Sequence, residues 1–276
     1  MIEVRAPSRL HFGLLNSAAI SAWMNVDGQP SVPARRFGGI GLLVDDPGLR
    51  LRIEPAKDWS AHGPMADRAL DFARRFIESL PPGAVAPYSI VIDRGPPEHC
   101  GLGTGTQLGL AVAKSLAIAC DRPDLDSVDL ARRVGRGLRS AVGIHGFDRG
   151  GLIVEGGKRD DKAIAPLLSW VELPAAWRVV VIVPDSEPGV HGGTERMAFD
   201  ELVHDAGSPL ADTLCRLVLL GMLPALRERD CHSFGEALFD FNTRVVNKLI
   251  ERHALRAAVH TGFGIRHDHH DSPRGR

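Results

Sequence analysis

Pro97-Glu98-His99-Cys100-Gly101-Leu102-Gly103-Thr104-Gly105-Thr106 stands between a β-branched run, Tyr88-Ser89-Ile90-Val91-Ile92, and an almost wholly apolar stretch from Thr106 to Cys120. The first run reads as a strand and the second as a helix buried on all sides, interrupted only by Gln107, Lys114 and Ser115. Glycines at 101, 103 and 105 let the backbone approach an anion and turn its amides inward. A helix beginning near Thr106 aims the positive end of its dipole at the same place. The hydroxyls of Thr104 and Thr106 suit phosphate oxygens or a phosphate-bound Mg²⁺. The loop does not end in Gly-Lys-Ser/Thr and lacks Gly-x-Gly-x-x-Gly spacing, so it is neither a P-loop nor a dinucleotide fingerprint. Without a ligand, the same elements make a tight strand-to-helix turn.

Outward from this loop, strands lead and helices follow. Ile2 to Leu15 begins as a strand, and residues 16–37 read as an irregular connection. Gly38 to Gly48 is a glycine-fed strand closed by a turn, and Leu49 to Ile53 a short alternating strand. Asp67 to Leu80 carries apolar residues at helical spacing and stops at Pro81-Pro82-Gly83. Leu125 to Val142 reads as a second helix, capped by Asp126 or Ser127, with Arg132, Arg133, Arg136 and Arg139 on its wet side. Arg178 to Val183 is a β-branched strand, Thr194-Glu195 opens a helix, and further helices run from about 209 to 250. The order implies an α+β protein. From 253 to 276 there are five histidines, several arginines and no apolar periodicity, which is the composition of an unstructured end rather than a metal site at His267-Asp268-His269-His270.

The chain has 276 residues, with 33 Lys+Arg against 34 Asp+Glu. That balance removes the electrostatic reason for a general nucleic-acid binder. Aromatic residues make up 5%, too few for base-stacking platforms. No apolar run approaches the roughly 20 residues of a membrane span, and Met1 to Pro7 lacks a signal-peptide core. Cys100, Cys120, Cys215 and Cys231 stand far apart, as buried free thiols of a reducing compartment would. These features imply a cytoplasmic enzyme.

Several segments together resemble the GHMP superfamily of small-molecule kinases. Pro97-x-x-x-Gly101-Leu102-Gly103-Thr104-Gly105-Thr106 is similar to its second motif, with threonine where the kinases usually carry serine. Pro7-Ser8-Arg9-Leu10-His11-Phe12-Gly13-Leu14 is similar to its N-terminal substrate motif. Gly38-Gly39-Ile40-Gly41, Gly143-Ile144-His145-Gly146-Phe147-Asp148-Arg149-Gly150-Gly151, Pro188-Gly189-Val190-His191-Gly192-Gly193-Thr194-Glu195 and Phe234-Gly235-Glu236-Ala237-Leu238 extend the resemblance to the β-ribofuranosylaminobenzene 5′-phosphate synthases, over about residues 1–250. The resemblance implies a GHMP-kinase-like two-lobed fold. Residues 1–160 would form a ribosomal protein S5-like N-terminal lobe with the phosphate loop, 161–252 an α/β C-terminal lobe, and 253–276 an irregular tail. That tail stands where the superfamily's third glycine-rich motif is expected, as a truncation would leave it.

The implied reaction is decarboxylating transfer of a phosphoribosyl group from phosphoribosyl pyrophosphate to 4-aminobenzoate or 4-hydroxybenzoate, in tetrahydromethanopterin biosynthesis. A GHMP kinase using ATP and an inactive remnant are the alternatives. Partners would be these small molecules and, by analogy, a second copy in a homodimer; neither nucleic acid nor membrane is expected. Displacing pyrophosphate from an anomeric carbon builds negative charge on the leaving group and positive charge on the sugar. Gly101, Leu102, Gly103, Thr104, Gly105 and Thr106 are therefore the candidate phosphate binders. Arg9 and His11 are candidates for the aromatic carboxylate or the 5′-phosphate. Asp148, placed about where the kinases keep a catalytic aspartate, is the candidate to hold Mg²⁺ or to steady the sugar cation, or else a plain turn residue. His145, Arg149 and His191 are candidate substrate contacts. Thr106 and Glu195 are candidate ligands of Mg²⁺, the expected cofactor, although Glu195 also suits a first helical turn. Asp45-Asp46 after Leu42-Leu43-Val44 has the acids of a phosphoribosyltransferase loop without its Thr-x-Gly, and Pro47-Gly48 reads as a turn.

Overall fold

Val4, Ala6, Ser8, Leu10 and Phe12 are all buried, the period-two pattern that makes residues 2–16 a strand with one face in the core. This strand, β1 (Ile2–Asn16), runs antiparallel along one edge of the longer β2 (Phe37–Pro55). The computed structural model describes residues 1–16, 35–98, 100–160, 163–183, 209–253 and 264–267. The two strands expected over 38–53 are one. Its register against β1 passes from Ala6↔Leu49 to Ser8↔Val44, so β2 bulges outward over 45–48 while staying in the sheet. The Ser8 hydroxyl donates to the Pro47 carbonyl, and Asp45 and Asp46 are exposed on the bulge.

On its other edge β2 takes two partners in turn. β5 (Gly151–Glu155) pairs with residues 39–43, and β4 (Tyr88–Arg94) with residues 50–55, both antiparallel. β3 (Ser60–His62) lies parallel to β4, and β6 (Leu167–Val171) completes the order β3-β4-β2-β5-β6. α1 (Ala66–Glu78) places Ala69, Phe72, Ala73 and Phe76 in the core at i, i+3, i+4 and i+7. α2 (Thr104–Ala119) is buried nearly all round, and Leu108, Leu110, Ala111, Val112, Leu116 and Ala117 join the same cluster as Leu51, Ile53, Phe72 and Phe76.

The helix expected over 125–142 is interrupted. α3 (Ser127–Arg133) is capped by Asp126, whose carboxylate accepts from the Asp129 amide at 2.8 Å. It ends in a Schellman turn: Arg136 N–H donates to the Ala131 carbonyl at 2.8 Å and Gly135 N–H to Arg132 at 3.3 Å, with Gly135 at φ +68°. Gly137, at φ +89°, turns the chain again before the short α4 (Val142–His145). The amphipathic pattern continues through 134–142, but two left-handed glycines override it.

The chain divides into two compact units, the first on residues 1–170. In the second, β7 (Trp177–Val180) pairs antiparallel with β8 (Gly264–His267), a strand formed within the histidine-rich segment. α5 (Pro209–Arg216), a π-helical stretch Leu217–Met222, α6 (Leu223–Glu228) and α7 (Cys231–His253) make up its helical part. Trp177 and Phe234 meet in a tilted pair, 5.4 Å between ring centroids, within this unit. Among the described residues, no helix is long and apolar enough to cross a membrane. The four cysteines are free, and half-buried rather than buried.

Candidate active site

The glycine loop closes onto β1. The Arg9 amide donates to the Leu102 carbonyl at 2.9 Å, so strand and loop are joined through the backbone while the Leu102 side chain is buried below. Gly103, the N-cap of α2, is left-handed at φ +70° and carries no capping side chain, and the first turn of α2 holds no acidic residue. The front of the helix is therefore open to an anion. Gly101, at φ +83°, is exposed with open space where a side chain would stand.

Three arginines from three different elements converge on residues 103–106. Arg9 of β1 lies against Gly103, its Cβ and Nε 3.0 and 3.2 Å from where a Cβ would sit. The Arg68 guanidinium of α1 fills the space beside Gly105 so closely that any side chain there would strike it. Arg136, delivered by the Schellman turn, donates to the Thr106 hydroxyl from Nη2 at 2.9 Å and Nε at 3.3 Å. The expectation that Arg136 faces solvent is overturned, because the helix that would have pointed it outward ends three residues earlier. Burial, together with the guanidiniums of Arg68, Arg9, Arg75 and Arg139, lowers its affinity for its proton, to a pKa of about 10. Arg68 is ion-paired with Glu98.

Behind the loop, Gln107 and Gly143 join α2 to α4: Gln107 Nε2 donates to the Gly143 carbonyl at 2.8 Å, and Arg9 Cδ lies 3.4 Å from the Cβ position of Gly143. Gln107 Oε1 and His11 Nε2 are buried with no hydrogen-bond partner among the described residues. Burial first, and Arg9 second, push the His11 pKa down to about 3, so its imidazole is neutral. Glu155, at the end of β5, shares this region: its Oε1 and His11 Nε2 lie 3.1 and 3.2 Å from one point above Gly39. Burial pushes the Glu155 carboxyl up to about 7, against bonds from the Gly157 amide at 2.9 Å and the Ala141 amide at 3.4 Å. Lys158 Nζ donates to the Leu138 carbonyl at 2.8 Å, tying down the same 138–141 segment.

The Thr104 hydroxyl donates back to the Pro97 carbonyl at 3.2 Å. Asp148 and Arg149 are exposed on the turn between α4 and β5. His145 is half-buried, its Nε2 2.7 Å from the Ala165 carbonyl, and burial lowers its pKa. His191 and Glu195 lie outside the described residues, as do residues 268–276. Where an Mg²⁺ ligand was expected, Thr106 offers its oxygen to a guanidinium instead. The nearby acid, Glu98, is held by Arg68, and no group of three or more His, Cys, Asp or Glu among the described residues is arranged for a metal. The described residues therefore suit an anion and do not by themselves fit a protein-held cation.

Arg68, Arg136 and Glu155 were not singled out for the site by sequence reasoning. The one local signal for any of them is Val134-Gly135-Arg136-Gly137, whose glycines mark a helix stop.

No family model matches the chain. It is 30% identical over 253 residues to the β-ribofuranosylphenol 5′-phosphate synthase of Archaeoglobus fulgidus, covering 86% of this chain and 74% of that protein. The synthase of the same name from Methanothermobacter thermautotrophicus is 28% identical over 259 residues, 85% and 73% of the two chains. Among solved structures, the phosphomevalonate kinase of Streptococcus pneumoniae superposes with a TM-score of 0.60 at 14% identity, over 90% of this chain and 80% of that one. At that identity the likeness is one of fold, and it bears out the expected GHMP-kinase-like α+β architecture.

Proposed function

Since this chain belongs to the family of the β-ribofuranosylphenol 5′-phosphate synthases, we propose that it is a pentosyltransferase that joins the ribosyl 5-phosphate group of phosphoribosyl pyrophosphate to an aromatic acid with loss of CO₂. The observation that carries this reading is the convergence of Arg9, Arg68 and Arg136 on the loop at 103–106, a cationic cradle shaped for a diphosphate. The product name borne by the relatives favours 4-hydroxybenzoate over 4-aminobenzoate as acceptor.

In this reaction the ring carbon that carries the carboxylate bonds to the ribose C1, and the C1–O bond to the diphosphate breaks. The ring–carboxylate bond then breaks and its electron pair restores the aromatic ring, so CO₂ and pyrophosphate leave with no redox change. The chain's residues hold the leaving group at the loop. The neutral His11 and the Gln107 carbonyl oxygen are buried, uncharged acceptors or donors behind the loop, left without a protein partner among the described residues. Asp148 steadies the developing sugar cation from the turn after α4. Mg²⁺, if it takes part, would neutralise charge on the diphosphate, with no group of three or more His, Cys, Asp or Glu among the described residues arranged to hold it. The reaction takes place in the cytoplasm, where these free thiols remain reduced.

The experiment is ³¹P NMR of the purified chain with Mg²⁺, phosphoribosyl pyrophosphate and either aromatic acid, beside a tube of ATP with small alcohols. Pyrophosphate released only when the aromatic acid is present, with one CO₂ per pyrophosphate, supports the transferase. ADP in the second tube, with no pyrophosphate in the first, overturns it.

A further inference from the structure

Arg136 is an unusual cation for the place it occupies. Two of its N–H groups converge on a single neutral acceptor, the Thr106 hydroxyl, and among the described residues no carboxylate is ion-paired with it. The charges around it are guanidiniums, and together with burial they weaken its hold on its proton. Bringing like charges together in a partly desolvated site is unfavourable unless an anion completes it. A hydroxyl accepts two such donors poorly, whereas adjacent oxygens of a diphosphate match the guanidinium fork in both charge and spacing. The side chain is also fixed in place: its guanidinium carbon lies 6.0 Å from the Phe72 ring centre, and its backbone amide is locked into the Schellman turn. Arg68 is already matched by Glu98, so of these two the charge left for a ligand is that of Arg136.

We propose that Arg136 is the side chain that selects a diphosphate over a single phosphate at this loop, its N–H donors passing from the Thr106 hydroxyl to the diphosphate when the donor substrate binds. This rests on the reading that residues 101–106 receive the diphosphate. It adds a specificity-determining residue, carried by the α3–α4 connection, to the loop and to Arg9.

The test is isothermal titration of the full chain with inorganic pyrophosphate and, separately, with inorganic phosphate. The proteins are the wild type, Arg136→Met and Arg136→Lys, with ligand-free melting temperatures measured alongside. Arg136→Met is expected to weaken pyrophosphate binding roughly 10- to 100-fold and to leave phosphate within about threefold. Arg136→Lys, which keeps the charge but not the fork, should fall between the two. If Arg136→Met fails to fold, Arg136→Lys decides alone: a loss of pyrophosphate affinity without loss of phosphate affinity supports the proposal. Pyrophosphate affinity within twofold of wild type in a folded variant overturns the proposal and leaves the phosphoribosyl-transfer reading standing. Equal losses of both ligands also overturn it, since Arg136 would then be a general cation. A wild type that binds neither pyrophosphate nor phosphoribosyl pyrophosphate sinks the transferase reading itself, and the proposal with it.

Discussion

Arg136 and Thr106 are joined by two hydrogen bonds, of 2.9 and 3.3 Å, that tie the α3–α4 connection to the first turn of α2. Through this contact a segment remote from the glycine loop in sequence becomes part of its wall. The loop alone supplies amides and a helix dipole. The arginines brought to it supply the full charges that a polyanion needs.

Gly103 should be the least replaceable residue of the loop. At φ +70° an alanine costs ~1–2 kcal/mol, and its Cβ would also press on Arg9 Cβ, 3.0 Å away. Gly103→Ala is expected to lower the unfolding free energy obtained from urea titration by that amount. It should also weaken pyrophosphate binding at least tenfold, a loss that titration of the folded variant would read separately from stability.

Gly41→Ala provides the opposite case, a change in the sheet with no role in charge. Its Cβ would run into the Leu10 carbonyl of β1 and lie 2.9 Å from Val142 Cγ1. Backbone cannot move aside as a side-chain end can, so a destabilisation of about 1–3 kcal/mol is expected. Denaturant unfolding would show it, and pyrophosphate affinity of the folded fraction should stay near wild type.

Glu155 and His11 should give stability opposing dependences on pH. Glu155 has a raised pKa in the folded state, so its contribution is complete below about 4.5 and is lost as pH rises through about 7. His11 has a depressed one, so its contribution is present above about 6.5 and is lost as pH falls toward 3. Between pH 4.5 and 6.5 the two offset each other. Glu155→Gln removes one side of the balance. The variant should lose stability relative to wild type on going from pH 8 to pH 5, by up to about 3 kcal/mol. Urea midpoints at the two pH values would check this, and parallel curves for the two proteins would refute it.

Asp148 separates chemistry from folding cleanly because it is exposed. Asp148→Asn should change stability by no more than about 0.5 kcal/mol. If Asp148 steadies the sugar cation, kcat should drop by roughly 100-fold or more while pyrophosphate affinity is kept. An unchanged kcat would return Asp148 to an ordinary turn residue.

The elements on which the site is built are legible in local sequence. Alternation from Val4 to Phe12 makes β1, apolar residues on every face bury α2, and glycines at 101 and 103 shape the turn between strand and helix; each depends on neighbours a few residues away. Arg9 and the loop could be named as candidates for the same reason. The company they keep comes from the packed fold. The helical pattern through 134–142 points Arg136 to solvent, until Gly135 and Gly137 take left-handed conformations and the chain folds back to Thr106. Arg68 reaches Gly105 because α1 packs beside α2, and Glu155 meets His11 across Gly39 because β5 and β1 lie on opposite edges of β2. Charge assembled from residues 59 to 144 positions apart leaves no local pattern, since what brings it together is the packing of apolar faces elsewhere.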